Sequence, residues 1–229
     1  MPDDLGTVIV TGGASGLGAA IADRVQRAGG TPVVLDLNPP APGIAFEPVD
    51  LADPRATERV VGKVDEEHDD VRGVVTAAGT DACGDFEEVD AAAWERVIAV
   101  NLIGTAAVVR AALPALERNA GRVVTVASTL GLRALPAATA YCASKFGVVG
   151  FTRALALELG DRVGVTMLVP GGMATQFFDG RDEQFKPGPD QRLNDPADVA
   201  DTVVFALTRP PYVEVRELIV TPAGEPSWP

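Results

Sequence analysis

The stretch Thr11-Gly12-Gly13-Ala14-Ser15-Gly16-Leu17-Gly18 lies between a short apolar run, Leu5–Val10, and an amphipathic stretch that continues to Ala28. This order predicts a strand, a glycine-rich turn and a helix. Glycines let a phosphate approach the main chain, and the helix N-terminus offers free N–H groups and the positive end of a dipole. The turn therefore predicts a site for the pyrophosphate of a dinucleotide, with a plain glycine-rich turn as the alternative.

A second apolar strand, Thr31–Leu35, ends in Asp36, 18 residues after Gly18. A carboxylate at this point accepts hydrogen bonds from the ribose hydroxyls of an adenosine and repels a 2′-phosphate. Neither Ser15 nor Leu37 supplies a compensating cation. The sequence therefore predicts that the cofactor is NAD rather than NADP.

Apolar, β-branched runs alternate with helical patterns along the chain. Most runs are continuous, which is typical of parallel strands covered on both faces. The alternation predicts a doubly wound (Rossmann) α/β fold, a parallel sheet of about seven strands with helices on both faces, in a single domain over residues 1–229. The predicted strands are Val8–Thr11, Pro32–Leu35, Ile44–Pro48, Val71–Thr76, Arg122–Ala127, Val163–Leu168 and Glu217–Val220. The predicted helices lie near 17–28, 54–67, 90–118, 140–160 and 196–208.

The composition excludes several classes of partner. The formal net charge is −13, so the surface repels phosphate backbones and anionic lipid headgroups, and neither nucleic acid nor a membrane is expected as a partner. The N-terminus lacks the basic region and apolar core of a signal peptide, which favours a cytoplasmic protein. One histidine and two cysteines support neither a metal site nor a disulfide scaffold.

A tyrosine and a lysine stand four residues apart in Tyr141-Cys142-Ala143-Ser144-Lys145, at the start of a helix-forming run. At this spacing both side chains lie on one helical face. A free phenol has a pKa near 10, and a neighbouring ammonium is expected to lower the pKa of Tyr141 because it favours the phenolate. The pair is a candidate for general acid-base catalysis. The spacing alone leaves an accidental surface pair open.

Together, these motifs resemble those of the short-chain dehydrogenase/reductase family over roughly residues 5–222. Ser128 precedes Tyr141 by 13 residues, the spacing expected of that family. One departure is Ala77, where the family usually has an asparagine that braces the sheet, so stability or cofactor affinity is expected to be somewhat lower. The positions that carry the resemblance are Thr11–Gly18, Asp36, Asp50, Ala78-Gly79, Asn101, Ser128, Tyr141, Lys145, Pro170-Gly171 and Thr175.

The resemblance implies an NAD-dependent oxidoreductase that interconverts a secondary alcohol and a ketone by hydride transfer. Tyr141 would be the general acid or base, Ser128 would hydrogen-bond the reacting oxygen, and Lys145 would contact the nicotinamide ribose and lower the pKa of Tyr141. Asn101 would hold a proton-relay water, with a satisfied buried amide as the alternative. The implied cofactor contacts are Gly12, Ser15, Gly16, Leu17, Gly18, Asp36, Asp50, Leu51, Ala78, Gly79, Tyr141, Lys145, Pro170, Gly171 and Thr175.

Phe177–Asn194 is the one long irregular stretch, and its length predicts either a substrate lid or a mobile surface loop. Arg133, Arg181 and Lys186 could meet an anionic tail of the substrate. An apolar alcohol or ketone is nevertheless the expected partner, because apolar side chains crowd this stretch and the loop after Ser128. These side chains are Leu130, Leu132, Leu135, Phe177, Phe178 and Phe185.

Two other functions remain open from the sequence. One is a catalytically idle dinucleotide-binding regulatory protein, which the intact set of Ser128, Tyr141 and Lys145 disfavours. The other is a 3-oxoacyl reductase or a 3-hydroxyacyl-CoA dehydrogenase; the reductase would normally prefer NADP, which Asp36 disfavours.

A homodimer or homotetramer is also expected. Gly147 and Gly150 lie inside the predicted helix from Tyr141 to Leu159, where each glycine costs about 1 kcal/mol, so another element is expected to pack closely there. The helical stretch 90–118 is rich in Ala and Val and could form the same interface. Related enzymes of the family commonly associate through these two helices.

Overall fold

The computed structural model describes residues 5–225, which form one seven-stranded sheet flanked by helices. The strands are β1 Thr7–Thr11, β2 Thr31–Asp36, β3 Ala45–Pro48, β4 Val71–Thr76, β5 Arg122–Val126, β6 Gly164–Pro170 and β7 Glu217–Val220. All neighbouring strands are parallel, in the order β3-β2-β1-β4-β5-β6-β7. The predicted doubly wound α/β fold is confirmed, and each predicted strand is correct to within two residues at either end.

The helices are α1 Gly16–Arg27, α2 Pro54–Glu67, α3 Ala91–Ile98, α4 Thr105–Arg118, α5 Thr139–Leu159 and α6 Pro196–Leu207. Two of them begin with an aspartate cap followed by proline, a combination typical of helix N-termini. Asp53 accepts hydrogen bonds from Arg55 N and Ala56 N, and Asp195 accepts one from Ala197 N.

The helix predicted near 90–118 is present as Ala91–Arg118, but it is not regular throughout, because a π-helical segment, Ala99–Gly104, separates α3 from α4. Gly104 packs so closely on the loop after β3 that a Cβ there would lie 2.7 Å from Leu51 O. π-helical segments inside α-helices are frequent at functional sites, and this one carries Asn101. The whole stretch Ala91–Arg118 is long and apolar enough to cross a membrane, but much of its apolar surface packs in the core.

Alternate residues of β1 bury opposite faces of the sheet. Val8 and Val10 pack with α1 and α6, whereas Ile9 packs with α2, α4 and α5. The strand order reverses between β1 and β4, since the chain runs outward to β3 before it returns to β4. In such sheets, ligands bind in the crevice outside the carboxyl ends of the strands at this point.

Candidate active site

The glycine turn between β1 and α1 allows very close backbone contacts. Gly12 has a φ of +69°, and a Cβ there would lie 2.6 Å from Ala78 Cα. A Cβ on Gly18 would lie 2.2 Å from Gly12 O. Within the described residues, the first-turn N–H groups of α1, which begins after Ser15, receive no side-chain cap. They are therefore available to an anion.

Two carboxylates stand beside this turn. Asp36, at the end of β2, accepts hydrogen bonds from Ala14 N and Asn38 N, both at 3.0 Å. Asp50, after β3, accepts a hydrogen bond from Ala52 N at 2.9 Å and two from Arg96 at 3.1 and 3.2 Å. The Ala52 N–H and the Arg96 guanidinium hold the pKa of Asp50 below its usual value.

The loop after β4 is held by side chains from β1 and the π-helical segment. Thr11 Oγ1 accepts a hydrogen bond from Ala78 N at 3.1 Å, at the point where Ala77 brings no amide. Asn101 accepts a hydrogen bond from Thr80 N at 2.8 Å, and its amide nitrogen donates to Thr80 O at 2.9 Å and to Ser144 Oγ at 3.0 Å. The Asn101 side chain, only 1% exposed, is thus a satisfied buried amide that joins the loop to α5.

Ser128, Tyr141 and Lys145 come together where β5 ends and α5 begins. Ser128 Oγ accepts a hydrogen bond from Leu130 N at 3.1 Å, and the serine hydroxyl also hydrogen-bonds the Tyr141 side chain. Lys145 Nζ donates to Val126 O at 2.8 Å and lies 5.6 Å from the centroid of the Tyr141 ring.

The electrostatics of this pair differ from the prediction. Burial raises the pKa of Tyr141 to about 12, and the hydrogen bond from Ser128 opposes this shift only in part. Burial also lowers the pKa of Lys145 to about 8. The predicted lowering of the Tyr141 pKa by Lys145 is therefore wrong for the ligand-free protein. Removal from water disfavours the charged form of both groups, and the ammonium lies against a carbonyl rather than the phenol oxygen.

The stretch Phe177–Asn194, predicted to be either a substrate lid or a mobile surface loop, lines this site. Two short 3₁₀ turns, Gln176–Phe178 and Glu183–Phe185, lie at its start and within it. The Phe177 ring lies 5.5 Å from the Tyr141 ring, centroid to centroid. Arg181 lies over the Phe177 and Phe178 rings, with its guanidinium carbon 4.7 and 4.8 Å from their centroids. These contacts place an apolar surface beside the Tyr141 side chain.

A cavity of about 1120 Å³ connects the glycine turn with Tyr141. It exceeds the roughly 300–1,000 Å³ typical of small-molecule pockets, so it has room for a dinucleotide and a substrate. Every catalytic or cofactor-contact residue predicted from the sequence lines it except Asn101, which is buried. Leu132 and Arg133, predicted near the substrate, are not among the residues that line it. Sequence reasoning missed Asp81 and the structural role of Ser144. The position of Asp81, just after a strand that ends at the ligand-binding edge, was the available signal.

The turn, the sheet edge and the tyrosine–lysine pair define a nucleotide-binding oxidoreductase of the Rossmann type. The chain belongs to the short-chain dehydrogenase family, since residues 6–185 match the family model described as short chain dehydrogenase. This confirms the resemblance found in the sequence. Members of the family bind NAD(P), and the relatives of this chain include named dehydrogenases.

Two relatives illustrate this similarity. A 2-(S)-hydroxypropyl-CoM dehydrogenase of Xanthobacter autotrophicus is 32% identical over 234 residues, covering 88% of this chain and 89% of that protein. The 2,5-dichloro-2,5-cyclohexadiene-1,4-diol dehydrogenase LinX of Sphingobium indicum is 32% identical over 216 residues, covering 86% of each. Both matches extend over most of the fold.

Solved structures share the architecture. Ligand-free aldohexose dehydrogenase of Thermoplasma acidophilum superposes with a TM-score of 0.86 and 25% identity, over 96% of this chain and 95% of that one. An alcohol dehydrogenase of Thermococcus sibiricus, complexed with 5-hydroxy-NADP, gives a TM-score of 0.83 and 24% identity, over 93% and 95%. At 24% identity, the match to the Thermococcus sibiricus enzyme shows a shared fold.

The low pKa of Lys145 predicts a specific pH dependence of stability. Below about pH 8 the lysine is charged in both the folded and the unfolded protein, so folding carries the full cost of burying the charge. Between about pH 8 and 10.5 the folded protein releases this proton first. The unfolded state then binds more protons, and stability rises with pH. We expect the free energy of unfolding of wild type to rise by roughly 3 kcal/mol relative to that of Lys145→Met between about pH 8 and 10.5.

Urea unfolding of both proteins between pH 7 and 10.5 measures this difference. Lys186→Met is the matched control, because Lys186 is paired with Glu183 and its pKa is raised, so that variant should show no such gain for wild type. If the difference in the free energy of unfolding between wild type and Lys145→Met stays constant with pH, the lowered pKa of Lys145 is contradicted.

Proposed function

We propose that the protein is an NAD-dependent dehydrogenase/reductase. It interconverts small, apolar secondary alcohols and the corresponding ketones by hydride transfer. The observation that carries the proposal is the convergence of Ser128, Tyr141 and Lys145 on the cavity that begins at the glycine turn. A proton-transfer group and a dinucleotide site in one crevice are what hydride transfer to a carbonyl requires.

The residues of the cavity fit NAD. A Cβ at Gly12 or Gly18 would strike the backbone, so only glycine allows the turn to pack this tightly, with the N–H groups of α1 beside it to bind a pyrophosphate. Asp36 would accept hydrogen bonds from the adenosine ribose, and Lys145 would donate to the nicotinamide ribose. The nicotinamide, when bound, supplies or accepts the hydride. The remaining residues proposed to line its site are Ser15, Gly16, Leu17, Asp50, Leu51, Ala78, Gly79, Pro170, Gly171 and Thr175.

Tyr141 is proposed as the general acid in ketone reduction. With a pKa of about 12 in the ligand-free protein, its phenol holds a proton at neutral pH and can donate it to the developing alkoxide. The Ser128 hydroxyl would hold the same oxygen, as a preorganised donor that stabilises negative charge. Alcohol oxidation needs the phenolate instead, and the Lys145 ammonium is the charge whose approach to the phenol oxygen would lower this pKa.

Replacing Tyr141 with phenylalanine tests the proposed acid. The variant keeps the ring contact with Phe177 and loses the hydroxyl, so kcat for ketone reduction should fall by roughly 10²–10⁴-fold while NADH binding stays nearly unchanged. Steady-state kinetics and calorimetry measure the two quantities. Tyr212→Phe is the control, because this other tyrosine is 89% exposed. Full turnover by Tyr141→Phe would remove the phenol from the mechanism.

The preference for NAD over NADP tests Asp36. A 2′-phosphate placed against the Asp36 carboxylate meets a like charge in a partly desolvated site, which costs ~1–3 kcal/mol, so NAD should bind at least tenfold more tightly. Asp36→Asn should reduce this ratio. Asp50→Asn should change both affinities alike, because Asp50 is already paired with Arg96. Equal calorimetric affinities of wild type for both dinucleotides would refute the assignment.

We also propose a homodimer or homotetramer. The close packing expected at Gly147 is made by the same chain, because a Cβ there would lie 2.7 Å from the Leu102 side chain. Gly150, in contrast, faces open space. Nearby on the same helical elements, three apolar side chains are exposed to solvent: Ile103, Phe146 and Leu157. A helix that is apolar on nearly all sides is typically buried, which supports a partner copy on this face.

Light scattering at micromolar concentration should therefore give a mass of two or four chains. Leu157 is 82% exposed, and Leu157→Asp should shift the protein toward the monomer because it introduces a charge into the apolar contact. Phe86→Asp is a control at a similarly exposed apolar position outside these helices. A monomeric wild type would contradict the proposal.

A further inference from the structure

The guanidinium of Arg181 is already occupied by a carboxylate. Arg181 Nη2 lies 2.7 Å from Asp81 Oδ2, and the two side chains are only 16% and 8% exposed. Asp81 is held in place by the loop itself, since its other oxygen accepts a hydrogen bond from Ala82 N at 2.7 Å and Cys83 Sγ lies 3.1 Å from Oδ2. The sequence suggested Arg181 as a partner for an anionic substrate tail, but this contact is made within the chain.

The other cations around the cavity have partners as well. Arg96 binds Asp50, Lys186 binds Glu183, and Lys145 donates to Val126 O. Among the described residues that line the cavity, six carboxyl groups face four cations. The pocket therefore carries net negative charge, and an anionic substrate would have to displace a buried carboxylate to reach Arg181.

We propose that Asp81 determines the charge specificity of the substrate pocket: by neutralising Arg181, it restricts the site to uncharged alcohols and ketones. The inference deepens the proposed function and rests on it. Arg181 contacts Phe177, which in turn contacts Tyr141, so an ion bound at Arg181 would be close to the reacting carbonyl. Charge at this position therefore acts directly on substrate selection.

Removal of the Asp81 charge should change the substrate preference from uncharged toward anionic substrates. A buried guanidinium without its partner is strongly unfavourable, and a carboxylate is the ligand that matches its planar donors. In the Asp81→Asn variant, the Arg181 guanidinium could instead form an ion pair with the carboxylate of an anionic substrate. The same substrate would bind poorly to wild type, because its charge would face Asp81.

The test compares the reduction of matched ketones that differ in charge: 4-oxopentanoate and 5-oxohexanoate against their methyl esters, with NADH. Wild type should favour each ester over its acid in kcat/KM by at least tenfold. Asp81→Asn should shift this ratio toward the acid by at least tenfold, and Arg181→Gln should shift it further toward the ester. The double variant Asp81→Asn/Arg181→Gln should lose the gain for the acid.

Controls separate charge specificity from general damage. Asp182→Asn removes another carboxylate of the cavity lining, one that is next to Arg181 in the chain but leaves the Arg181–Asp81 ion pair in place, and Asp81→Glu keeps the charge. Both should retain the wild-type ratio. Asp81 raises and Arg181 lowers the pKa of Tyr141, so absolute rates will change in the variants. The ratio between acid and ester cancels this effect because both probes use the same phenol.

A binding measurement decides the inference without turnover. Calorimetry on the NADH-loaded protein with butanoate and butanamide should show that Asp81→Asn gains at least tenfold in affinity for butanoate over wild type, with little change for butanamide. An unchanged ratio in both experiments overturns the inference. Failure of the proposed function is distinct, because it would be seen as an absence of NADH-dependent ketone reduction by wild type, whereas the binding measurement needs no turnover. If Asp81→Asn does not fold, an unchanged acid-to-ester ratio in Arg181→Gln overturns the inference instead.

Discussion

The close approach of backbone to backbone at the glycine turn is the constraint on which the rest of the site depends. Gly12 touches Ala78 and Gly18 touches Gly12 O so closely that neither position has room for a Cβ. These contacts join β1, the start of α1 and the loop after β4 at the point where the strand order reverses. The crevice, the free N–H groups and the position of the β4 loop all follow from this one packing arrangement.

Burial then sets the chemistry of the proton-transfer pair. In water a tyrosine and a lysine four residues apart on a helix would mainly feel each other's charge, but at the base of α5 desolvation dominates both groups. It raises the pKa of Tyr141 and lowers that of Lys145, so at neutral pH the phenol keeps its proton and the lysine remains an ammonium that is easier to deprotonate than in water. The site therefore holds its proton on the phenol until a ligand changes the charge around it.

The sequence predicts the sheet well because buried parallel strands are continuous apolar runs, and it predicts the glycine turn and the Tyr141–Lys145 pair because both are local. It does not reveal the π-helical segment at Asn101, because an additional residue in a helical turn leaves the apolar composition unchanged. Nor does it reveal the pair of Asp81 and Arg181, which are 100 residues apart and meet only through the tertiary fold. The sequence also predicts the wrong direction for the shift of the Tyr141 pKa, because that direction depends on burial.

The carboxylates of this edge have a common origin in the fold. Asp36 ends β2, and Asp50 and Asp81 follow β3 and β4; parallel strands bring such positions to one edge of the sheet. In a chain with a net charge of −13, an anionic dinucleotide is therefore best bound by backbone N–H groups, whose partial charges do not depend on composition. The acidic side chains then discriminate between ligands: Asp36 faces the ribose in the proposed complex, and Asp81 pairs with Arg181 beside the proposed substrate pocket. The backbone N–H groups would thus attract the anionic dinucleotide, and the acidic side chains would select among cofactors and substrates.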